Sequence, residues 1–247
     1  MSYIKTKGVI IKEVNTGEAD KVVTILSRSH GKISGYAKSA RRPKSSLTAG
    51  TQFLCYGDFM LFKGRELYNI SSCEVIEPFF GIRTDVEKLT YAAHIVDIVN
   101  DAVQENQSSP RILQLFLNTL HMLSKTDKSP ELIARIFEFR FLFLLGYAPY
   151  VRSCMVCESD CAGGIYFSFK KCGFLCRTCK LNDINSIEIS TGTARALQHI
   201  VYSPMKELFN FELSPNSLAE LGRISRRYLK DRLEKEYTKL DFLKSLS

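Results

Sequence analysis

The stretch CMVCESDCAGGIYFSFKKCGFLCRTC, residues 154–179, holds six of the eight cysteines of the chain. It begins with one CxxC pair, Cys154 and Cys157, and ends with a second, Cys176 and Cys179, with eighteen residues between the pairs. Each pair lets two thiolates chelate one ion, and two pairs complete a closed tetrahedral shell. The spacing lies in the range that indicates a zinc site, so we predict one structural Zn²⁺ bound by these four cysteines.

Two further cysteines in this stretch, Cys161 and Cys172, make six thiols compete for four ligand positions. Cys172 could replace Cys176 and give a wider chelate. Two regular CxxC turns satisfy tetrahedral geometry with less loop strain, which favours the set named above. The remaining cysteines, Cys55 and Cys73, fall in predicted strands and are expected to be inert apolar residues.

A catalytic zinc site is the rival interpretation of the same residues. Such a site keeps one position open for water, and nucleobase deaminases carry an HxE sequence before PCxxC. This chain offers a full thiolate shell, contains no HxE, and has scattered histidines at positions 30, 94, 121 and 199. None of them pairs in sequence with a carboxylate or cysteine as a nucleophile's base would, so a metal hydrolase is not expected.

Length and composition indicate a globular protein. The chain has 247 residues, of which 45% are hydrophobic and 11% aromatic, enough for one large or two to three small domains. No apolar run reaches the length of a membrane span, and the start MSYIKTKGVIIKE lacks the plan of a signal peptide. We therefore expect a cytoplasmic protein without a membrane partner, and a reducing compartment favours metal ligation over disulfides.

The net charge of +8 is unevenly distributed. Lys and Arg exceed Asp and Glu by 5 in residues 1–80 and by 4 in residues 151–247, whereas residues 81–150 carry one net negative charge. Basic flanks around a neutral middle indicate a polyanion partner, most often nucleic acid. An excess of this size could also serve solubility alone.

Residues 3–77 have the pattern of a strand-rich domain. Short segments rich in β-branched and aromatic residues alternate with turn signals such as Asn15–Gly17 and Lys63–Gly64. Five strands in about 75 residues favour a small barrel, and the OB type is the commonest five-stranded solution. The predicted strands are GVIIKEV, KVVTILSR, KISGYAKS, TQFLCYGDFMLFK and ELYNISSCEVIE.

The segment KSARRPKSS inside this domain gathers four cations around a proline and three serines. Because proline and serine disfavour a regular strand or helix, the cations are expected on a loop, where they can reach phosphates. A solvated, disordered basic loop is the alternative. Tyr36, two residues earlier, could stack on a base or pack in the barrel. The predicted DNA-binding residues of this loop are Lys38, Arg41, Arg42 and Lys44.

A helical period replaces the strand period after residue 83. Helices are predicted at Asp85–Gln104, Pro110–Ser124, Pro130–Leu145, Thr191–Tyr202 and Pro215–Leu233. Serine before proline is typical of helix starts, as at Ser109 and Ser129, and Gly146 is a C-terminal stop signal. The helix beginning at Pro130 is apolar on most of its circumference and should be central. Arg135 and Arg140 could flank a groove for an acidic peptide there, or be exposed or paired.

The last predicted helix carries a second group of cations at spacings of three and four, which places them on one helical face. They are Arg223, Arg226, Arg227 and Lys230. We predict a second DNA contact here. The interleaved acids at positions 220, 231, 234 and 236 favour a solvated amphipathic face instead, unless the loop at residues 38–44 lies nearby in space.

Four segments together carry a resemblance to a known family. They are GEADKVVTILSRSHGKISGYAKSARRPKSS (Gly17–Ser46), FLFLLGYAP (Phe141–Pro149), the two CxxC pairs and RRYLK (Arg226–Lys230). In this order, over nearly the whole chain, they resemble the RecO family of DNA recombination mediators. The resemblance implies an α+β fold: an N-terminal OB domain (1–80), a helical bundle (81–150), a zinc-binding insertion (151–182) and C-terminal helices that complete the helical domain (183–247).

The resemblance also implies a function. Family members bind single- and double-stranded DNA, anneal complementary strands, and with RecR help load RecA onto DNA coated by single-stranded-DNA-binding protein; they are not enzymes. We accordingly expect binding without sequence specificity at the nucleoid, because phosphate contacts hold DNA yet release it. The competing hypothesis is a zinc-ribbon scaffold that binds only proteins.

Residue by residue, the family's basic loop falls on residues 40–44, with Ser39 where glycine is usual. Its groove for the acidic, Phe-ending tail of the single-strand-binding protein implies Arg135, with apolar neighbours Phe141, Leu142 and Leu145. Family members commonly have two glycines before the second CxxC, whereas this chain has Cys172 and Gly173.

Overall fold

A computed structural model describes residues 3–64 and 67–244 of the chain. The chain divides into two compact units, Met1–Thr126 and Asp127–Ser247. The division falls inside the predicted helical bundle of residues 81–150, so that segment contributes helices to both units. The four predicted domain boundaries otherwise stay predictions.

The first unit contains a closed five-stranded barrel. Its strands are β1 (Tyr3–Thr16), β2 (Asp20–Ser27), β3 (Gly31–Ala37), β4 (Tyr56–Lys63) and β5 (Tyr68–Glu77). Their order around the barrel is β1-β2-β3-β5-β4, and β4 pairs with β1 to close it. All pairs are antiparallel except β3 with β5. This confirms the predicted OB-type barrel.

The long strand β1 makes closure possible because it pairs with β2 and β4. The register with β2 shifts between Ile10 and Lys12, where the strand bends. Leu54 donates its N–H to the Ile10 carbonyl, and Ile10 donates to the Cys55 carbonyl. Residues 51–55 form turns, so the strand that was predicted to begin at residue 51 begins only at Tyr56.

The barrel core is built from the inward positions of the alternating strands. Ile10, Val23, Ile25, Phe59 and Leu61 are fully buried there. Two residues of the long β3–β4 connection, Ala40 and Leu47, belong to the same core. The connection is therefore fixed to the barrel within its basic segment, at Ala40, and again after it, at Leu47.

Three helices complete the first unit: α1 (Phe80–Arg83), α2 (Val86–Ala102) and α3 (Pro110–Lys125). The Asp85 carboxylate caps α2 by accepting from the Lys88 N–H at 3.0 Å. Ser109 precedes α3 as predicted, but its hydroxyl donates to the Gln107 carbonyl and makes no cap hydrogen bond. Pro110 still occupies the first turn, where a missing N–H is harmless.

The second unit is organised around α4 (Pro130–Leu144), which packs against α5 (Thr191–Tyr202) and α6 (Pro215–Leu233). A short α7 (Asp241–Lys244) follows. Ten of the fifteen residues of α4 are buried, which agrees with its predicted central place. Gly146, with φ of 90°, ends α4: its N–H donates to Phe143 and that of Tyr147 donates to Leu142. Within residues 3–64 and 67–244, no helix is long and apolar enough to cross a membrane.

The cysteine stretch folds as a small module between α4 and α5. Three short strands, β6 (Ile165–Ser168), β7 (Gly173–Cys176) and β8 (Ile187–Ile189), form a sheet in the order β7-β6-β8. These strands of three or four residues are too short to show a reliable alternation, and they were not predicted. They hold the second CxxC at the end of β7.

Candidate metal centre and candidate nucleic-acid surfaces

The four cysteines of the two CxxC pairs converge on one point. The sulfurs of Cys154, Cys157, Cys176 and Cys179 all lie within 4.8 Å of one another. The Sγ atoms of Cys157 and Cys176 are 3.6 Å apart. A tetrahedral site with Zn–S bonds of about 2.3 Å separates its sulfurs by roughly 3.8 Å, so these residues fit a metal ion.

Local backbone geometry directs the four thiols inward. In the first pair, the Cys154 N–H donates to the Ser159 carbonyl and the Glu158 N–H donates back to Cys154, which closes a tight turn. In the second pair, Cys176 ends β7 and Cys179 begins a 3-10 turn. The Cys179 N–H points at the Cys176 sulfur at 3.5 Å.

The thiols of this cluster differ in acidity. Hydrogen bonds from the Cys179 N–H and the Ser159 hydroxyl lower the pKa of Cys176 to about 6. The hydrogen bond with Cys157, and to a smaller extent burial, raises the pKa of Cys179 to about 12. Four thiols this close share protons, because four adjacent negative charges repel one another. A bound cation removes that repulsion and holds all four as thiolates.

The two additional thiols lie outside this cluster. The Cys172 sulfur donates to the Phe169 carbonyl, and the Cys161 sulfur to the Ser159 carbonyl. Cys172 has φ of 58°, in the left-handed region that glycine adopts most easily. This agrees with the family resemblance, which implies a glycine at this position. At Gly173 a Cβ atom would come within 2.4 Å of the Tyr150 carbonyl oxygen, so glycine is required.

Cys55 and Cys73 lie in the barrel unit and are shielded. Burial raises the pKa of both thiols, that of Cys73 to about 12. Because the thiolate is the reactive species, this agrees with the expectation that both are inert.

The basic loop, residues 38–44, contains the buried residue Ala40 and is followed by the buried Leu47, and both pack in the barrel core. Its four cations, Lys38, Arg41, Arg42 and Lys44, are all exposed. In the part of the chain that the structure describes, none of them forms an ion pair with a carboxylate. The loop thus presents four positive charges to solvent from a connection whose ends are fixed.

The cations of α6 are also exposed, but their surroundings differ. Arg226 lies 3.5 Å from Asp241, Arg227 3.8 Å from Asp231 and Lys230 3.2 Å from Glu236. The Arg227 guanidinium also lies 4.0 Å from the centre of the Phe169 ring, so it packs against the cysteine module. Sequence reasoning missed this contact, because Phe169 is 58 residues away along the chain.

The residues implied for binding a partner tail lie mostly in the interior. Phe141 and Leu142 are fully buried and Leu145 is half-buried. Arg135 is only 4% exposed and pairs with buried Glu138 at 2.8 Å, so it does not lie at an open margin of α4. Arg140 is paired too: it donates to the carbonyls of Ile200, Val201 and Ser203 at the end of α5.

A cavity of about 470 Å³ between α4 and α6 brings two predicted sets together. Its wall includes Arg135 from the predicted tail groove and all four cations of the predicted α6 face. Two carboxylates, Glu131 and Glu236, also line it. The cavity is therefore predominantly cationic, and its two remaining lining residues, Ala219 and Gly222, are apolar.

Barrel, basic loop and four-cysteine module define the class of the protein: an OB-barrel protein with a helical unit and a four-cysteine insertion that could hold a metal ion. Comparison with known families matches residues 1–79 to the model "Recombination protein O N terminal" and residues 83–241 to "Recombination protein O C terminal". The chain belongs to the RecO family of DNA repair proteins.

Relatives support this over the full length. The chain is 60% identical over 246 residues to "DNA repair protein RecO" of Acetivibrio thermocellus, covering 100% of this chain and 98% of the relative. It is 36% identical to the protein of that name from Caldicellulosiruptor saccharolyticus, covering 99% of each, and 33% identical to that of Alkaliphilus metalliredigens, covering 98% and 99%.

Proposed function

We propose that this protein is a DNA repair and recombination mediator. It binds single- and double-stranded DNA without sequence specificity, anneals complementary strands and, with RecR, helps load RecA onto DNA coated by single-stranded-DNA-binding protein. It acts in the cytoplasm, at the nucleoid. The observation that carries the proposal is the basic loop: four exposed cations without ion-pair partners among the described residues, on a connection fixed by Ala40 and Leu47.

The chemistry of the loop favours phosphate contacts. Guanidinium and ammonium groups neutralise phosphates whatever the base sequence, and the counterions that DNA releases make such binding sensitive to salt. A mediator must hand its DNA to a successor, and contacts of this kind weaken readily. Two strands brought to cationic surfaces also repel each other less, which favours annealing.

The α6 face is the second proposed DNA contact. Its ion pairs with Asp231, Glu236 and Asp241 lie at the surface, where each is worth at most about 1 kcal/mol. Phosphates can therefore replace these carboxylates at low cost. Arg223 is exposed and makes no ion pair with a carboxylate within the described residues.

The cavity between α4 and α6 is the proposed site for the acidic tail of the single-strand-binding protein. Its exposed cations, which lie on α6, would pair with the tail carboxylates. Phe141 and Leu142 are fully buried residues of α4 that do not line the cavity, so we do not expect them to contact the tail. Leu145 is half-buried, and we keep it in the proposed tail site only as an apolar neighbour.

We assign the four-cysteine cluster to one structural Zn²⁺. The four thiolates would fill a tetrahedral shell, and a closed shell leaves no position for a reacting water. The ion would stabilise the fold of the module and polarise no substrate. This supports a protein that is not an enzyme.

Charge reversal of the loop tests the proposed function. Arg41→Glu/Arg42→Glu should weaken binding of a single-stranded oligonucleotide and lower the slope of log K against log salt by about 2, one for each lost phosphate contact. Annealing of strands coated by the single-strand-binding protein should fall in parallel. The matched control is Arg111→Glu/Lys206→Glu, which reverses two exposed cations elsewhere. Equal affinity of both variants would favour the protein-only scaffold.

A further inference from the structure

The carboxylate of Asp20, the first residue of β2, accepts hydrogen bonds from two groups at the start of the basic loop. The Tyr36 hydroxyl donates to its Oδ2, and the backbone N–H of Ser39 donates to its Oδ1 at 2.6 Å. Tyr36 is near the end of β3 and Ser39 is the second residue of the loop. Asp20 thus links the start of one strand to the point where the loop leaves another.

The same hairpin holds the loop at a third point. The Arg41 backbone N–H donates to the Ala19 carbonyl at 2.9 Å, and the Arg41 guanidinium donates to the Glu18 carbonyl at 3.3 Å. On the far side of the loop, the Thr48 hydroxyl contacts the carbonyls of Ala40 and Arg42. The backbone from Ser39 to Arg42 is therefore held from both sides.

Ser39 needs this support. Its φ is 55°, in the left-handed region, which a residue with a side chain adopts only when its surroundings compensate the cost. The hydrogen bond from its N–H to Asp20 is such a compensation. Without it, the loop would relax toward conformations that turn Lys38 and Arg41 in other directions.

Charge alone does not account for an acid at this place. Asp20 lies close enough to Lys38 and Arg42 to interact with their charges, and the hydrogen bond from Tyr36, followed by that from Ser39, holds the pKa of Asp20 below its ordinary value. The group is therefore ionised at neutral pH. An anion beside a phosphate-binding surface opposes binding by its charge, so any benefit must come through geometry.

We propose that Asp20 is a positioning residue, which through Tyr36 and Ser39 holds the basic loop in the conformation that binds DNA phosphates. This rests on the proposed function of the loop. A loop already held in its binding conformation loses less conformational freedom when DNA arrives, and its cations meet successive phosphates together.

Two variants separate geometry from charge because they predict opposite signs. Tyr36→Phe removes a hydrogen bond without changing charge, and Asp20→Asn removes the negative charge and replaces one of the two acceptor oxygens by an NH2 donor. Positioning predicts that both bind a fluorescent single-stranded oligonucleotide about 3- to 10-fold more weakly, as expected for the loss of one or two hydrogen bonds. A purely electrostatic role predicts that Asp20→Asn binds more tightly and Tyr36→Phe is unchanged, which would overturn the proposal.

Glu74→Gln is the matched control, because it removes one exposed carboxylate from β5. It should bind DNA as the unaltered protein does, or slightly more tightly. Thermal unfolding of all three variants checks that the barrel is intact. A loss of affinity in Asp20→Asn and Tyr36→Phe at unchanged unfolding temperature supports positioning.

Trypsin gives a second measurement that does not depend on DNA. Release of the loop should speed cleavage after Lys38, Arg41 or Lys44 in both variants, whereas Pro43 protects the bond after Arg42. If Arg41→Glu/Arg42→Glu loses affinity while the two variants bind and are cleaved as the unaltered protein, the role of Asp20 is overturned and the DNA-binding loop stands. If Arg41→Glu/Arg42→Glu keeps full affinity, the proposed function of the loop fails and the proposal for Asp20 fails with it.

Discussion

At the scale of single residues, burial changes what a side chain can do. Arg135 is the residue type expected to bind an acidic tail, but in the structure it is buried and pairs with Glu138. Glu138 also accepts a hydrogen bond from the Ser225 hydroxyl. Arg223 has the same chemistry and is exposed on the wall of the same cavity. The two arginines therefore call for different experiments.

Arg135→Glu should destabilise the protein by about 3–5 kcal/mol, because it places a second carboxylate beside buried Glu138. Loss of tail binding by this variant would not be specific. Arg223→Glu, at the surface, should leave the unfolding temperature within about 2 °C and weaken binding of an acidic, Phe-ending peptide, measured by fluorescence anisotropy. An unchanged peptide affinity in Arg223→Glu would contradict the proposed tail site.

The ligand set of the metal is also tested one residue at a time. Cys176→Ser should lose most of the metal from protein purified without added zinc, because one of four converging sulfurs is missing. Cys172→Ser should keep it, since its sulfur faces the Phe169 carbonyl. Metal content per chain, measured by mass spectrometry, decides; the reverse result would make the assigned ligand set wrong.

At the scale of elements, serine caps and one carboxylate fix the start of α5 against α6. The Ser190 hydroxyl accepts from the Thr193 N–H, and Glu220 of α6 accepts from the Ser190 N–H at 2.9 Å and hydroxyl at 2.8 Å. Partial burial raises the pKa of Glu220, but the hydrogen bonds from Thr193 and Ser190 outweigh it, so the pKa lies below its ordinary value.

A lowered folded-state pKa means that Glu220 stabilises the fold above its unfolded pKa of about 4.3 and ceases to do so as pH falls through the folded value. Glu220→Gln should therefore unfold more easily at pH 7, by about 1 kcal/mol or less because solvent screens the carboxylate. The difference should vanish near pH 3. Urea unfolding at both pH values measures it, and an equal difference at both would contradict the assignment.

The starts of the helices were the structural features that the sequence predicted best. Thr191–Tyr202 and Pro215–Leu233 begin and end where predicted, because serine caps and Pro at the first turn act within four residues of chain. The sheet β7-β6-β8 was missed because its strands have only three or four residues, too few to show an alternation, although β6 and β7 form a local hairpin.

At the scale of the second unit, the cysteine module packs directly on α6. The Phe167 and Tyr228 rings meet edge to face at 5.7 Å, Arg227 lies over Phe169, and Arg232 donates to the Phe169 carbonyl at 3.3 Å. The module and the cationic helix α6 are thus in direct contact, so we expect loss of the module's fold to disturb α6.

Metal removal should therefore affect α6 and the module together. Chelation is expected to lower the unfolding temperature of the second unit and to speed hydrogen exchange in β6, β7 and the C-terminal half of α6, while β1–β5 keep their protection. Hydrogen-exchange mass spectrometry locates the change, and added Zn²⁺ should reverse it. Faster exchange confined to the module would show that α6 does not depend on it.

The sequence by itself determined the features whose physics is local. CxxC spacing, helix caps, hydrophobic period and the clustering of cations in residues 38–44 all act over a few residues, and from them came the barrel, the helices and the four cysteines. Only the tertiary structure decided what depends on burial and long-range contact. In it Arg135 is buried and paired with Glu138, Cys161 and Cys172 lie outside the cluster, and Asp20 accepts a hydrogen bond from Ser39. These outcomes were not predictable because packing between distant segments sets the hydrogen-bond partners and the dielectric surroundings of a side chain.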